Sequence, residues 1–195
     1  MVSEDAPFKT VKELVAAAKA NPGKLNYASA GIGSFQHLGG ELFKLEAGVD
    51  IVHVPYKGGG PAMQDVVAGH VKIIFSSMIQ TTPLIKAGKV RVLGTGGSKR
   101  SPVLPDVPTI AEAGVPNYVA ENWWGIVAPA GLPAPVVSKL YAATQAALKA
   151  PALQAAFAHD GASPVAMSTA EFGKYIGMEI VKWGRVVKQG KIKAK

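Results

Sequence analysis

The sequence predicts an α/β fold built on a parallel sheet, and three observations carry that expectation. Strand and helix signals alternate from Thr10 to Gly94, a repetition that implies parallel strand pairing with helices covering the sheet faces. The dipeptide Ala-Gly closes three successive helical segments at 47–48, 68–69 and 87–88, each followed within two residues by a strand signal. Glycine there supplies the left-handed backbone that ends a helix cheaply. Hairpin turns such as Asn-Gly, which an antiparallel layer needs, do not occur in this stretch.

The elements follow in order. Thr10-Val11-Lys12-Glu13 is a capping box; Val11, Leu14, Val15 and Ala18 then mark an apolar face, and Asn21-Pro22-Gly23 stops the helix. Leu25 to Ala28 reads as a short strand. Ser34 caps a second helix with Leu38, Leu42 and Leu45 as its buried stripe, ending at Gly48. Ile51 to Pro55 is a strand, Pro61 to Ala68 a helix, Val71 to Phe75 a strand, Pro83 to Ala87 a helical turn and Val90 to Gly94 a further strand. The proline-rich stretch from Gly96 to Pro116 is an ordered crossing rather than a strand. Gly125-Ile126-Val127-Ala128 is strand-like. Pro135 opens a helix with Val136, Val137, Leu140, Tyr141, Thr144 and Leu148 on one side. Ser168-Thr169-Ala170-Glu171 is a second capping box. After it Phe172, Ile176, Ile180, Trp183 and Val187 form one stripe at helical spacing, a core face or a docking face.

Composition narrows the function. The 195 residues are 48% hydrophobic and 17% charged, enough to bury a core and unlike a disordered chain. No apolar run approaches a membrane span. The absence of cysteine excludes disulfides, thiolate zinc sites and cysteine nucleophiles. A net charge of +8 favours anionic partners. Much of it lies between Lys182 and Lys195, where six Lys/Arg occur without an acid. That run reads either as a nucleic-acid arm or as the solvated end of a helix whose dipole favours cations. No aromatic residue follows Trp183 to stack on bases, so no nucleic acid is expected as a partner. Met1 to Pro7 is acidic and polar, without a signal-like segment, which as written predicts a cytoplasmic chain.

The most informative chemistry lies in Ser29-Ala30-Gly31-Ile32-Gly33-Ser34, followed by Phe35-Gln36-His37. A strand runs through a glycine-containing turn straight into a helix, whose free amides and positive dipole end suit a carboxylate or phosphate. Gly31 and Gly33 permit close approach, and the Ser29 and Ser34 hydroxyls add donors. A dinucleotide fingerprint fits poorly for want of its third glycine, and a phosphate loop is excluded for want of Gly-Lys-Ser/Thr. His37 is either a ligand contact or a structural hydrogen-bonding residue. Tyr56-Lys57-Gly58 follows the next strand in the same way, with Lys57 as counter-charge or as an ordinary exposed lysine. Ser76-Ser77 follows the third. Turns at the carboxyl ends of parallel strands are expected to share one crevice. There is no nucleophile elbow, no spacing that pairs Asp50, Asp65, Asp106 or Asp160, and no metal pattern among His37, His53, His70 and His159. The expectation is a binding protein without catalytic residues, metal or cofactor.

Asn21-Pro22-Gly23-Lys24-Leu25-Asn26-Tyr27, the turn from Ser29 to His37, Val52-His53-Val54-Pro55-Tyr56-Lys57-Gly58 and Leu104-Pro105-Asp106-Val107-Pro108-Thr109 together resemble one family. Glu112-Ala113-Gly114, Trp124-Gly125 and Ala128-Pro129-Ala130-Gly131 complete the pattern. The family is Bug/TctC, the extracytoplasmic solute receptors of tripartite tricarboxylate transporters, and the resemblance runs from about Pro7 to Val187. It implies a type II periplasmic-binding-protein fold, two α/β lobes closing on an organic acid, a periplasmic location and transporter subunits as partners. The ligand turns map onto Ser29, Ala30, Gly31, Ile32, Gly33 and Ser34, with His37 just behind, and onto Tyr56, Lys57 and Gly58. Relatives often carry Phe-Asp after the third strand; Phe75-Ser76 stands here, which favours a plain carboxylate over an amino acid. Family members are about half as long again. On that footing residues 1–120 correspond to an intact ligand-binding lobe, and 121–195 to the hinge and C-terminal part of the other lobe. A homo-oligomer covering the absent half-lobe, and a stand-alone anion sensor or protein-interaction module, are the alternatives to a carboxylate receptor.

Overall fold

A computed structural model describes residues 1–193; Lys195, the last cation of the basic run, lies outside them. The elements are β1 (Val2–Ser3), α1 (Val11–Ala20), β2 (Asn26–Ser29), α2 (Phe35–Ala47), β3 (Val52–Pro55), α3 (Gly59–Val67), β4 (Ile73–Ile74), α4 (Met78–Lys86), β5 (Val90–Arg91), α5 (Ala134–Leu148), α6 (Pro151–Asp160) and α7 (Thr169–Gln189).

The strands lie in the order β3-β2-β4-β1-β5. β2 pairs with β3 and β4 in parallel, as the alternating pattern predicts. The sheet is nevertheless mixed, because β1 runs antiparallel to both β4 and β5. Two residues offer no periodicity to read, so sequence reasoning missed β1. Successive side chains point to opposite faces, and this builds two cores. Tyr27, Ile73 and Val2 pack with α1 (Val11, Leu14, Ala18), with α2 (Leu42, Phe43) and with Val186 of α7. Ala28, Ile74 and Val90 pack on the other face against Ala62 and Val66 of α3.

The predicted stops hold: Gly48, Gly69 and Gly88 all have positive φ. Thr10 caps α1 by accepting from the Glu13 N–H at 3.1 Å, but the Glu13 carboxylate accepts from the Lys9 N–H at 2.7 Å, one residue before the capping-box position. At α7 the Ser168–Glu171 box is complete. α4 is longer than the predicted turn at Pro83–Ala87, because Ser77 starts it and Pro83 is tolerated inside it. The crossing from Gly96 is ordered without being a strand, tied down by a bridge between Thr95 and Thr109 and by the Ala120 N–H on the Gly96 carbonyl at 2.9 Å.

Beyond residue 120 one expected strand is missing, and two predicted helices form with much of their apolar surface exposed. Ile126 and Val127 form no strand: among the described residues no strand pairs with them, and they stand 75% and 77% exposed. α5 buries none of its residues, so Val136, Val137, Leu140 and Tyr141 face outward. On α7 the packed side is rotated from the predicted stripe. Glu179 and Val186 are buried there, whereas Ile180 and Val187 are exposed. Glu179 takes the inward place because its carboxylate accepts from the indole N–H of Trp183 at 2.8 Å and of Trp123 at 3.2 Å, and pairs with Lys182. Lys182, Arg185 and Lys188 of the basic run lie in the last turns of this helix, with Arg185 paired to Glu46 of α2.

Candidate functional site

Each parallel strand hands the chain to a helix through a short turn, and the three turns converge. Gly31 lies against the Tyr56 carbonyl, which a Cβ there would meet at 3.2 Å. Gly59 lies against the side-chain amides of Gln36 and Gln80. Gln80 of α4 accepts from Gln36 of α2 at 3.3 Å and from Ser76 at 3.1 Å. The N-termini of α2, α3 and α4, the positive ends of their dipoles, therefore face one crevice, as the strand polarity predicts.

The first turn is held by its own side chains. Gly31 and Gly33 have φ of +121° and +80°, conformations that suit glycine. Ser29 is fully buried, and its Oγ accepts from the Gly31 N–H at 3.0 Å. Ser34 Oγ donates to the Gly31 carbonyl at 2.7 Å and accepts from the His37 N–H at 3.3 Å, capping α2. The Gly33 N–H donates to His37 Nδ1 at 3.0 Å. Both serine hydroxyls and the Gly31 and Gly33 amides are thus engaged within the turn. Among the described residues, the backbone N–H groups of Ala30, Ile32, Phe35 and Gln36 have no hydrogen-bond partner. Those of Phe35 and Gln36 are first-turn donors that a helix cannot satisfy internally.

The remaining predicted residues divide. Tyr56 contributes its backbone to the crevice, while its hydroxyl donates to Asp65 of α3 at 2.5 Å; burial and that carboxylate push the phenol up to about 12. Lys57 is exposed at the rim, and Gly58, with φ of +124°, precedes α3 as its N-cap residue. Ser76 joins the glutamine network. Ser77 precedes α4, its Oγ buried and without a partner among the described residues.

Sequence reasoning missed the layer behind the turn. His53, which stands opposite Tyr27 in the parallel register, stacks on that ring at 5.1 Å. Its other face stacks on His37, with centroids 3.8 Å apart and planes 8° from parallel. His53 Nε2 lies 2.5 Å from Ser29 Oγ. Burial holds both imidazoles below the ordinary histidine value, His53 down to about 4. The fully buried Tyr27 donates its hydroxyl to Glu41 of α2 at 2.8 Å, and Lys44 pairs with that carboxylate at 3.0 Å. The legible signal for His53 was its alternation with the apolar residues of β3; for Gln36, its place in the first turn of a helix already singled out.

The structure is thus an α/β lobe with a mixed sheet whose strand-to-helix turns meet at one crevice, the place where ligands of open α/β sheets collect. The chain belongs to the tripartite tricarboxylate transporter family receptor family, TctC, which matches residues 1–192. It is 37% identical over 182 residues to Protein BugT of Bordetella pertussis, covering 93% of this chain and 56% of BugT. Among solved structures, R. palustris Rpa4515 with adipate superposes with a TM-score of 0.88 at 35% identity, covering 98% of this chain and 64% of that one. MatC from Rhodopseudomonas palustris with bound malate gives a TM-score of 0.83 at 33% identity, covering 95% and 64%. The chain therefore spans little more than half to about two thirds of the length of these relatives.

Proposed function

We propose that this chain binds a small organic carboxylate, without transforming it, as part of the solute receptor of a tripartite tricarboxylate-type transporter. The observation that carries the reading is the set of open amides of Ala30, Ile32, Phe35 and Gln36, presented by a turn whose serine hydroxyls and glycine amides are already engaged. A carboxylate oxygen there accepts from fixed donors at the positive end of α2, and charge-assisted bonds of this kind are the stronger ones. The adipate and malate of the two structural relatives support a dicarboxylate as ligand.

Residues 1–120 are the ligand-binding lobe in this reading, and 121–195 the hinge and C-terminal part of a second lobe. Burial supports the division, since among the described residues the buried hydrophobic ones other than Val186 lie between Val2 and Ala120. In this reading the receptor works outside the cytoplasm, beside the membrane subunits it serves. A second reading, an anion sensor or protein-interaction module, is favoured by one observation: Trp124, Ile126, Val127 and much of α5 present an apolar surface of the sort that marks interfaces. In that case a second copy covers the surface.

Thermal melts with adipate and malate separate the two. Ligand at 100 times its Kd adds about 2.7 kcal/mol, which for a chain of this size raises Tm by about 5–10 °C. Gly33→Val abolishes the shift, because valine strains a φ of +80° and projects a side chain into open space at the turn. A cooperative melt that neither acid moves, with dimers in light scattering, establishes the interaction module instead.

A further inference from the structure

We infer that His37 and His53 are positioning residues that hold the carboxylate-seating turn in its binding shape only while both imidazoles are neutral, so that binding is lost on acidification. The inference rests on the carboxylate reading above and adds to it the device that sets the turn.

Two routes run from the stacked pair to the turn. His37 Nδ1 accepts the Gly33 N–H at 3.0 Å, which fixes the His37 proton on Nε2. His53 Nε2 meets Ser29 Oγ at 2.5 Å, and that oxygen accepts the Gly31 N–H at 3.0 Å. The two glycines on which the turn pivots are thus each tied to one imidazole. The open amides of Ala30 and Ile32 alternate with these two, so their direction is set by the same bonds. The His37 amide is already taken by Ser34 Oγ, and each histidine acts on the turn through a glycine.

Protonation breaks the arrangement in a defined way. A proton added at His37 Nδ1 puts a donor against the Gly33 donor, and the bond becomes a repulsion. The His53 bond survives protonation, because Nε2–H donates to a hydroxyl that accepts. The charge on His53, however, lies 3.8 Å from the parallel His37 ring, so one imidazolium opposes a second. The groups facing the pair are Tyr27 and Ser29 of β2 and Glu41 and Lys44 of α2. Glu41 favours an imidazolium and Lys44 opposes it, and the two are paired at 3.0 Å, so their effects largely offset. Burial is the larger influence, and it moves both imidazoles below the ordinary histidine value, His53 to about 4.

The test uses the full chain. Malate and adipate titrations between pH 7.5 and 4.5 are expected to weaken at least about tenfold in the unaltered protein beyond the acids' own protonation, one lost charge-assisted hydrogen bond being of that size. His37→Asn places an uncharged acceptor where Nδ1 stands; it is expected to bind at pH 7.5 within about threefold of the unaltered protein and to show only the acids' own pH dependence. His37→Ala, which has no acceptor, is expected to bind at least about tenfold more weakly at both pH values. In the ligand-free unaltered chain, NMR is expected to show the Gly33 amide shifting with the midpoint of the His37 ring protons. A Gly33 amide indifferent to that titration, or a His37→Asn profile identical to the unaltered one, overturns the inference. If neither acid binds at pH 7.5 while the Gly33 amide follows His37, the carboxylate reading fails and the positioning role stands.

Discussion

Gly40 of α2 faces the ring of Tyr27, and replacing it by alanine tests how closely that helix must approach the sheet. A Cβ at position 40 would lie 2.2 Å from Tyr27 Cε2 and 2.5 Å from Cζ. The ring cannot swing aside freely. It is fully buried, stacks on His53 at 5.1 Å and donates its hydroxyl to Glu41 at 2.8 Å. It has to retreat by about 1 Å before the contact becomes ordinary, and overpacking of this kind costs about 1–3 kcal/mol. Loss of a hydrogen bond to a charged acceptor adds about 1.5–3 kcal/mol. Against this, alanine gains about 1 kcal/mol over glycine inside a helix. The net expectation is a loss of about 2–4 kcal/mol, read as a lower urea midpoint with unchanged slope and a Tm lower by about 5–15 °C. In a Tyr27→Ala background the same substitution is expected to be neutral or stabilising, because the ring it strikes is gone. Equal costs in the two backgrounds, or a neutral Gly40→Ala in the unaltered chain, would refute the reasoning.

Other expectations follow from the helix that crosses α2. Glu179→Gln leaves two indole N–H groups and Lys182 sharing one neutral acceptor. It is expected to cost about 1–3 kcal/mol, with a red shift in the emission of Trp123 and Trp183. Burial opposes the ionisation of Glu179, but the donors of Lys182, Trp183 and Trp123 outweigh it and hold the carboxyl below its usual 4.5. The stability it contributes is therefore complete above pH 4.5 and is lost as pH falls through the lower folded value; Glu179→Gln is expected to flatten that part of the acid melt. Ser168→Ala removes the acceptor of the Glu171 N–H at 3.2 Å. It is expected to cost about 1 kcal/mol and to speed hydrogen exchange of the first-turn amides of α7.

Local signals were legible where the chain satisfies itself locally. The cap at Ser34 and the stop at Gly48 bracket α2 within a few residues, and the strand-to-helix turns were visible because parallel strands repeat the same transition. What stayed hidden depends on partners distant in sequence. Gln36 and Gln80 mean little apart, and only the fold brings them to 3.3 Å. The serines drew attention for their hydroxyls, yet short polar side chains beside a backbone turn bond to that backbone first, as Ser29 and Ser34 both do with Gly31. Ile126 and Val127 have strand propensity without a strand to pair with, which propensity alone does not disclose.

The slot that β1 occupies has a consequence for the order in which the chain acquires its fold. Val2 pairs with Ile73 on one side and with Arg91 on the other, and the sheet reaches β5 only through β1. The parallel trio of β3, β2 and β4 closes from segments joined by single helices. The antiparallel half instead joins β1 to Ile73 of β4 and to Val90 and Arg91 of β5, partners far along the chain. Contacts of such sequence separation are slow to form. The pairing of Val2 and Ser3 is therefore slow to form, and it is what joins β5 to the parallel trio.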